Sequence, residues 1–424
     1  RSSRILERGS GGIGNDVGND QKRCRAMTAE YYIWLQEALG YASDAVGRVL
    51  AAYKTAKAFY LADDAEKIRR CRLSPRQAAR LHTVPRKNVY KILNECRGSG
   101  INIITPEDDA YPKKLLNIEN PPAVLYIKGE LPDTEAKPLI TIVGPRKISD
   151  YGMHCAYVIA NTLASCGFVV VSGGALGGDK SAHMGALEAG EPTVAVLGSG
   201  IGSDYLKPNA ELRERISECG CLLSEYPPFL PPFNGAFPAR NRILSGISDG
   251  VVVIEGALKS GTLSTASHAS DQGRDVFVIP GSPSLPQYEG SNRLIADGAR
   301  PLLSINDIID EYAAIYPNAI HAPNERIPMP KETDTEKHID AVEAKVVSKP
   351  QKTVEPTVYT SMLSDTARCV YTVISQLKRE AFTADDITEV GNIDIGVVLG
   401  ALTELEILGV ITACPGGRFV LGQA

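Results

Sequence analysis

FPARNRILSGISDGVVVIEGALKSGT, residues 237–262, sets a cationic segment against a strand and a Gly-Thr turn. Residues 250–256, GVVVIEG, are β-branched and apolar without polar alternation. That is the pattern of a strand covered on both faces, as in parallel sheets. Ahead of it stand Arg240, Asn241 and Arg242, and behind it Lys259, Ser260, Gly261 and Thr262. Ligands of open α/β sheets bind beyond the carboxyl ends of the strands. Cations and amide donors gathered there predict a phosphate site, with a spacing that suits an extended polyanion as well as a small nucleotide.

The same pattern recurs on either side. LITIVG (139–144), FVVVSGG (168–174), TVAVLGSG (193–200), CLLSEY (221–226) and DVFVIPG (275–281) read as further strands, with helices at 151–166 and 179–189 between them. Buried strands separated by helices predict an α/β fold, an extended Rossmann-like, doubly wound sheet spanning residues 101–312. Residues 28–100 have helical periodicity, with Ser74 as an N-cap and Pro75 at the first helical position, and read as a helical N-terminal domain. Residues 313–360 are rich in Pro, Lys and Glu and read as a linker. Residues 361–424 read as helix, helix, longer helix and hairpin, a C-terminal winged helix. Residues 1–27 are rich in Gly, Asp and Arg, and read as disordered or as foreign to the native chain, with Met27 a natural beginning.

A length of 424 residues calls for more than one core. The net charge of −5 means that any nucleic-acid site is a local patch on an acidic body. Nine scattered cysteines without a CxxC pair argue against zinc ribbons and thioredoxin-like chemistry, and suit a reduced, cytoplasmic protein. No apolar run reaches membrane-span length.

Four strand ends carry the candidate chemistry. Gly144 lets a ligand approach the backbone, and Arg146 offers a fork for phosphate. Ser172, Gly173 and the glycines up to Asp179 lead into a helix and form an anion nest. The third turn is Gly198-Ser199-Gly200, and the fourth runs from Glu255 to Thr262. There is no Walker loop and no acidic ribose partner, which argues against motor and dehydrogenase chemistry. The glycines also suit tight βα turns, and Arg240 and Arg242 also suit internal pairing with carboxylates. His183 reads as packed on its helix rather than as a metal ligand, Cys219 and Cys221 as strand core, and Asp249 as a cap or surface position. No catalytic residue, metal site or cofactor is expected.

In the order and spacing of VGPRKISDYG (143–152), VVVSGGALGGDKSAHMGAL (169–187), FPARNRILSGIS (237–248), ALKSGTLSTA (257–266), QGRDVFVIPGS (272–282) and GSNRLIADGA (290–299), the chain resembles the DNA-processing protein A family (DprA, also called Smf). The resemblance covers about residues 28–310 and the C-terminal segment. It implies a single-stranded DNA-binding protein that dimerises, protects incoming DNA and loads the RecA recombinase in natural transformation and recombination. It also implies a SAM or helix-hairpin-helix character for the N-terminal domain. Arg146, Ser172, Gly173, Arg240, Asn241, Arg242, Asn292 and Arg293 match the family's motifs. Pro145 replaces the family's serine, Ser291 a common cysteine, and Leu176 and Ala239 stand where the family often has cations. Lys207 and Lys259 are candidates to replace those contacts.

The Rossmann-like region also resembles the nucleoside-monophosphate phosphoribohydrolases of the LOG type. Those carry a catalytic glutamate where Thr265 stands here, so the alternative of a nucleotide-binding or phosphoribohydrolase enzyme lacks its general acid/base. From Ser361 onward, eight acidic side chains face four basic ones. The expected recognition helix, 395–408, contains Glu404 and Glu406 and no cation, which argues for a protein contact there rather than duplex DNA.

Overall fold

The computed structural model describes residues 28–205, 209–331, 364–377, 382–391, 393–407, 411–414 and 418–421. These fall into two compact units, divided between residues 343 and 344. The expectations for residues 1–27 and for Lys207 lie outside the described residues.

The first unit is built on a nine-stranded sheet. Its strands are β1 Asn102–Ile104, β2 Leu125–Gly129, β3 Leu139–Val143, β4 Val169–Ser172, β5 Thr193–Leu197, β6 Cys221–Ser224, β7 Gly250–Val253, β8 Asp275–Val278 and β9 Arg300–Pro301. The spatial order is β1-β2-β6-β5-β4-β3-β7-β8-β9. From β6 to β9 every pairing is parallel, and β2 joins β6 antiparallel. The chain runs outward from β3 to β6, then returns to place β7 on the other side of β3. The order therefore reverses at the β3/β7 boundary, the switch point at which such sheets open a crevice.

Side-chain alternation fixes the two faces. Ile140 and Ile142 of β3 pack with Ile159 and Leu163 of the helix Asp150–Ser165, while Leu139 and Val143 pack with Ile243, Leu244 and Ile247. Thr141, fully buried on the second face, donates to the Leu244 carbonyl at 2.8 Å and lies 2.8 Å from the Ser248 hydroxyl, so its polar atom is satisfied.

The N-terminal helices share a core with the sheet. Tyr32, Trp34 and Leu35 cluster with Val124, Tyr126, Ala195 and Leu222. Residues 314–331, expected to begin the linker, instead pack on the sheet unit: Ile320 is buried in its core, and Ser304 donates to the Ile327 carbonyl at 2.8 Å. Apolar side chains within a Pro-rich segment account for the difference. Cys221 is buried at the start of β6, but Cys219 is exposed at the end of the helix Ala210–Cys219. Asp249 is a junction rather than a surface cap: it takes hydrogen bonds from Lys114 Nζ (2.7 Å), Leu139 N (2.9 Å) and Tyr316 (2.9 Å).

The second unit has helices Asp365–Leu377, Ala384–Gly391 and Ile395–Ile407 with a three-stranded antiparallel sheet, a winged helix. Glu404 accepts from Ser364 N at 2.8 Å and Ser364 Oγ at 2.7 Å, so one acid of the expected recognition helix serves the start of another helix. Ile395 and Val397 of that helix are exposed.

Candidate nucleic-acid interface

A cavity of about 280 Å³ opens at the switch point. Val143, Gly144, Pro145 and Arg146 bring the end of β3 to it, Ala175 and Asp179 the turn after β4, and Ser260, Gly261, Thr262 and Thr265 the segment after β7. The remaining wall is the helix Ala236–Ile247, which contributes Phe237, Arg240, Asn241 and Leu244. FPARNR is thus the first turns of a helix between β6 and β7, not a strand-end loop. Pro238 lies in the first turn, where its missing N–H breaks no helical bond, and every residue from Arg240 to Ile247 is buried.

That burial changes what the motif's cations do. Arg242 donates from Nη2 to Glu225 Oε1 at 2.8 Å, from Nε to the Asn120 carbonyl at 2.9 Å and from Nη1 to the Ala239 carbonyl at 3.0 Å. Burial opposes its charge, yet Glu225 more than offsets this and holds the guanidinium above its ordinary pKa. The expectation of Arg242 as a phosphate ligand is corrected: it is buried, each of its three guanidinium nitrogens donates to an internal acceptor, it does not line the cavity, and it ties β6 to the helix. Arg240 donates to the carbonyls of Gly173, at 2.8 Å, and Val196, and from Nε to Asn241 Oδ1 at 3.2 Å. Asn241 in turn donates to the Gly261 carbonyl at 3.3 Å. Arg240 and Asn241 are only 6% and 8% exposed, so they tie strand ends together on the cavity floor.

The expected anion nest is already filled by a side chain of the same loop and helix. Asp179, 6% exposed, accepts from Ala175 N at 3.3 Å and faces Arg240. Burial raises its pKa above the usual carboxylate range against the pull of Arg240 and the backbone donors. Gly178 N donates to the Pro145 carbonyl at 3.3 Å. Gly173 is required here: a Cβ would lie 2.5 Å from Asp179 Oδ2 and 2.7 Å from an Arg240 nitrogen. Ser172 is fully buried and donates to the Ile142 carbonyl at 2.7 Å. Ser172 and Gly173 therefore lie beneath the site and do not reach a ligand. His183, on the same helix as Asp179, is fully buried with Nδ1 2.9 Å from Thr193 Oγ1, and burial, with Arg240 adding, pushes its pKa down to about 3. It packs as a neutral side chain. Among the described residues, no group of three or more His, Cys, Asp and Glu is placed to hold a metal ion.

The rim is different. Arg146 is exposed and rests over the Phe237 ring, 5.2 Å from its centroid. Lys259, exposed, precedes the lining residue Ser260. Among the described residues neither has a carboxylate within ion-pair distance. Asn292 is turned toward Gly281: it accepts from Gly281 N at 3.2 Å and donates to the Gly281 carbonyl at 2.9 Å, and it does not line the cavity. Arg293 is exposed beside Asp297, 3.9 Å away, and does not line the cavity. Of the residues expected from sequence, the structure brings Gly144, Arg146, Arg240 and Asn241 to one cavity, with Lys259 at its edge. Asp179, Glu225 and Phe237 are the contributors missed. Glu225 had a signal: a carboxylate at the end of the apolar strand CLLSEY needs a buried cation.

Comparison with known proteins follows the same division into units. The family described as DNA recombination-mediator protein A matches residues 102–313, and that described as DprA winged helix domain matches residues 363–417. Protein Smf of Synechocystis is 35% identical over 335 residues, 78% of this chain and 83% of its own length. DNA processing protein DprA of Bacillus subtilis is 38% identical over 221 residues, 52% of this chain and 74% of its own. The X-ray structure of DprA from Streptococcus pneumoniae has a TM-score of 0.59 at 31% identity, over 66% of this chain and 97% of that one.

Proposed function

The chain belongs to the DNA-processing protein A family, and from that premise we propose that it binds single-stranded DNA along the rim of the switch-point cavity. It protects the incoming strand and passes it to the RecA recombinase in transformation and recombination, as a cytoplasmic homodimer. The observation that carries this reading is Arg146, an exposed guanidinium without a carboxylate partner among the described residues, set between close-approach glycines at the mouth of the crevice. Together with Lys259 it can follow a phosphodiester backbone without reading bases.

Binding without chemistry is supported by the lining of the cavity. Its one carboxylate, Asp179, is engaged by backbone amides, and Thr265 stands where the phosphoribohydrolases carry their glutamate. The volume of about 280 Å³ falls just below that of clefts that enclose small ligands, roughly 300–1,000 Å³. No helix among the described residues is long and apolar enough to cross a membrane.

The test is a titration of labelled single-stranded and blunt duplex oligonucleotides at two salt concentrations. Tighter binding of the single strand, weakening as salt rises, is expected from counterion release. Equal or tighter binding of the duplex contradicts the reading. Release of ribose 5-phosphate from nucleoside monophosphates would replace it with the enzymatic one.

A further inference from the structure

Residues 63–97 carry ten basic and four acidic side chains, a net +6 within a chain of −5. They fold as three short helices, Asp64–Cys71, Pro75–Thr83 and Arg86–Gly98. Part of this charge serves the helices themselves. Arg70 pairs with Glu66 at 2.9 Å and Lys91 with Glu95 at 3.7 Å, and Arg69 lies in a last turn, where the helix dipole favours a cation.

Four cations have no such account. Arg72 follows the first helix in a left-handed conformation, φ 49°, and Arg76 opens the second. Arg86 and Lys87 open the third. Neither the second nor the third helix has an acidic residue in its first turn. Positive charge at a helix start is unfavourable, so local stability does not explain Arg76, Arg86 or Lys87. All four are exposed, and none has a carboxylate within ion-pair distance among the described residues. Arg86 is steadied by Tyr60, whose hydroxyl accepts from it at 3.1 Å. The His82–Asp64 contact, 3.0 Å, sets the end of the second helix against the start of the first, so the two run back to back with Arg72 and Arg76 at one end of the pair. Arg86 and Lys87 lie just beyond the other end.

This surface is continuous with the unit that carries the switch-point cavity. Gln36 donates to the Glu225 carbonyl at 2.7 Å, and Arg80 donates to the Glu37 carbonyl, so the helical region leans on the segment leading into the helix of Phe237 and Arg240.

We propose that Arg72, Arg76, Arg86 and Lys87 form a second polyanion-binding surface, taking the phosphodiester backbone of a single strand beyond the part held at the cavity rim. The choice of occupant rests on the single-strand reading above; the surplus of unpaired charge does not. Phosphate recognition here is by charge and guanidinium forks, without base readout.

The full chain is compared with its Arg72→Ala/Arg76→Ala/Lys87→Ala variant and with Arg146→Ala. The probes are single strands of about 6 nucleotides, within the span of one groove, and of about 30 nucleotides. The triple variant should bind the long strand at least about tenfold more weakly, with a salt slope lower by about 2, from three lost contacts at about 0.7 each. It should bind the short strand as wild type does, and melt no earlier. Arg146→Ala should weaken both. A triple variant with unchanged long-strand affinity and slope overturns the proposal, as does one that melts early and binds normally once folded. Wild-type protein that grips the long strand no more tightly than the short one overturns this surface alone. Wild-type protein that binds neither overturns the rim reading as well. Capture of phosphatidylserine vesicles, lost in the triple variant while long-strand binding persists, assigns the patch to a membrane and overturns it.

Discussion

On the floor of the switch-point cavity every cation has an internal partner, whereas on the rim Arg146 and Lys259 have no carboxylate partner among the described residues. Arg240 is spent on the carbonyls of Gly173 and Val196, and the nearby Arg242 on Glu225 and the carbonyl of Asn120. Arg146, by contrast, is exposed and rests over an aromatic ring. Guanidinium groups therefore hold the sheet ends together below and stand exposed above. A cation in a phosphate motif counts toward affinity only where its donors are unfilled.

The largest expected effect lies behind the cavity, at a buried histidine on the helix that carries Asp179. His183 is held neutral by burial, with its pKa lowered from 6.5 to about 3. A histidine with a depressed folded pKa lends stability above its unfolded pKa and loses it as pH falls through the folded value. Between about pH 6.5 and 3 this amounts to roughly 4–5 kcal/mol. Denaturation across that range should show the loss, and His183→Gln should shrink it. An unchanged pH profile in the variant would place the acid sensitivity elsewhere.

Arg242→Ala comes next, because it strands the Glu225 carboxylate, whose side chain is 3% exposed. Breaking a buried pair by removing one partner costs about 3–5 kcal/mol. Urea unfolding should report that loss, and the double variant with Glu225→Gln should recover part of it. Arg146→Ala is expected to do the reverse. Single-strand affinity falls by roughly 1–3 kcal/mol, the range for a charge-assisted contact. Stability stays within about 0.5 kcal/mol of wild type, as for a surface position. The smallest effect is expected from removing residues after 355. The recognition helix of the winged unit carries Glu404 and no cation, and exposes Ile395 and Val397, which suits a protein partner. Single-strand affinity should be unaltered, and a large loss in a folded truncated protein would give the wing a DNA contact.

The sheet was legible because its strands are buried on both faces, so VVVS, GVVV and TVAV announce themselves without alternation. Its switch point was not, because it depends on the spatial order of the strands. The winged helix was legible from helical periodicity followed by a hairpin. The site was legible only in outline. Arg242 and Glu225 are 17 residues apart in sequence, and nothing local in FPARNR marks one arginine as ion-paired and another as hydrogen-bonded to strand-end carbonyls. The glycine nest after β4 reads as a place for an outside phosphate, but the loop returns its own Asp179 to it. Asn292 looks like an exposed amide until Gly281, 11 residues earlier, folds back against it. Pairing over distance in sequence is set by tertiary packing, which residue types and spacing alone do not encode.

The contrast between floor and rim is tested most directly by the salt dependence of single-strand binding, measured side by side for wild type, Arg146→Ala and Arg242→Ala under conditions where each is folded. The slope of log affinity against log salt should fall by about 0.7 in Arg146→Ala, one phosphate contact on a single strand, and stay at the wild-type value in Arg242→Ala. A slope that falls in Arg242→Ala and holds in Arg146→Ala would put the phosphate at the buried arginine and contradict the account.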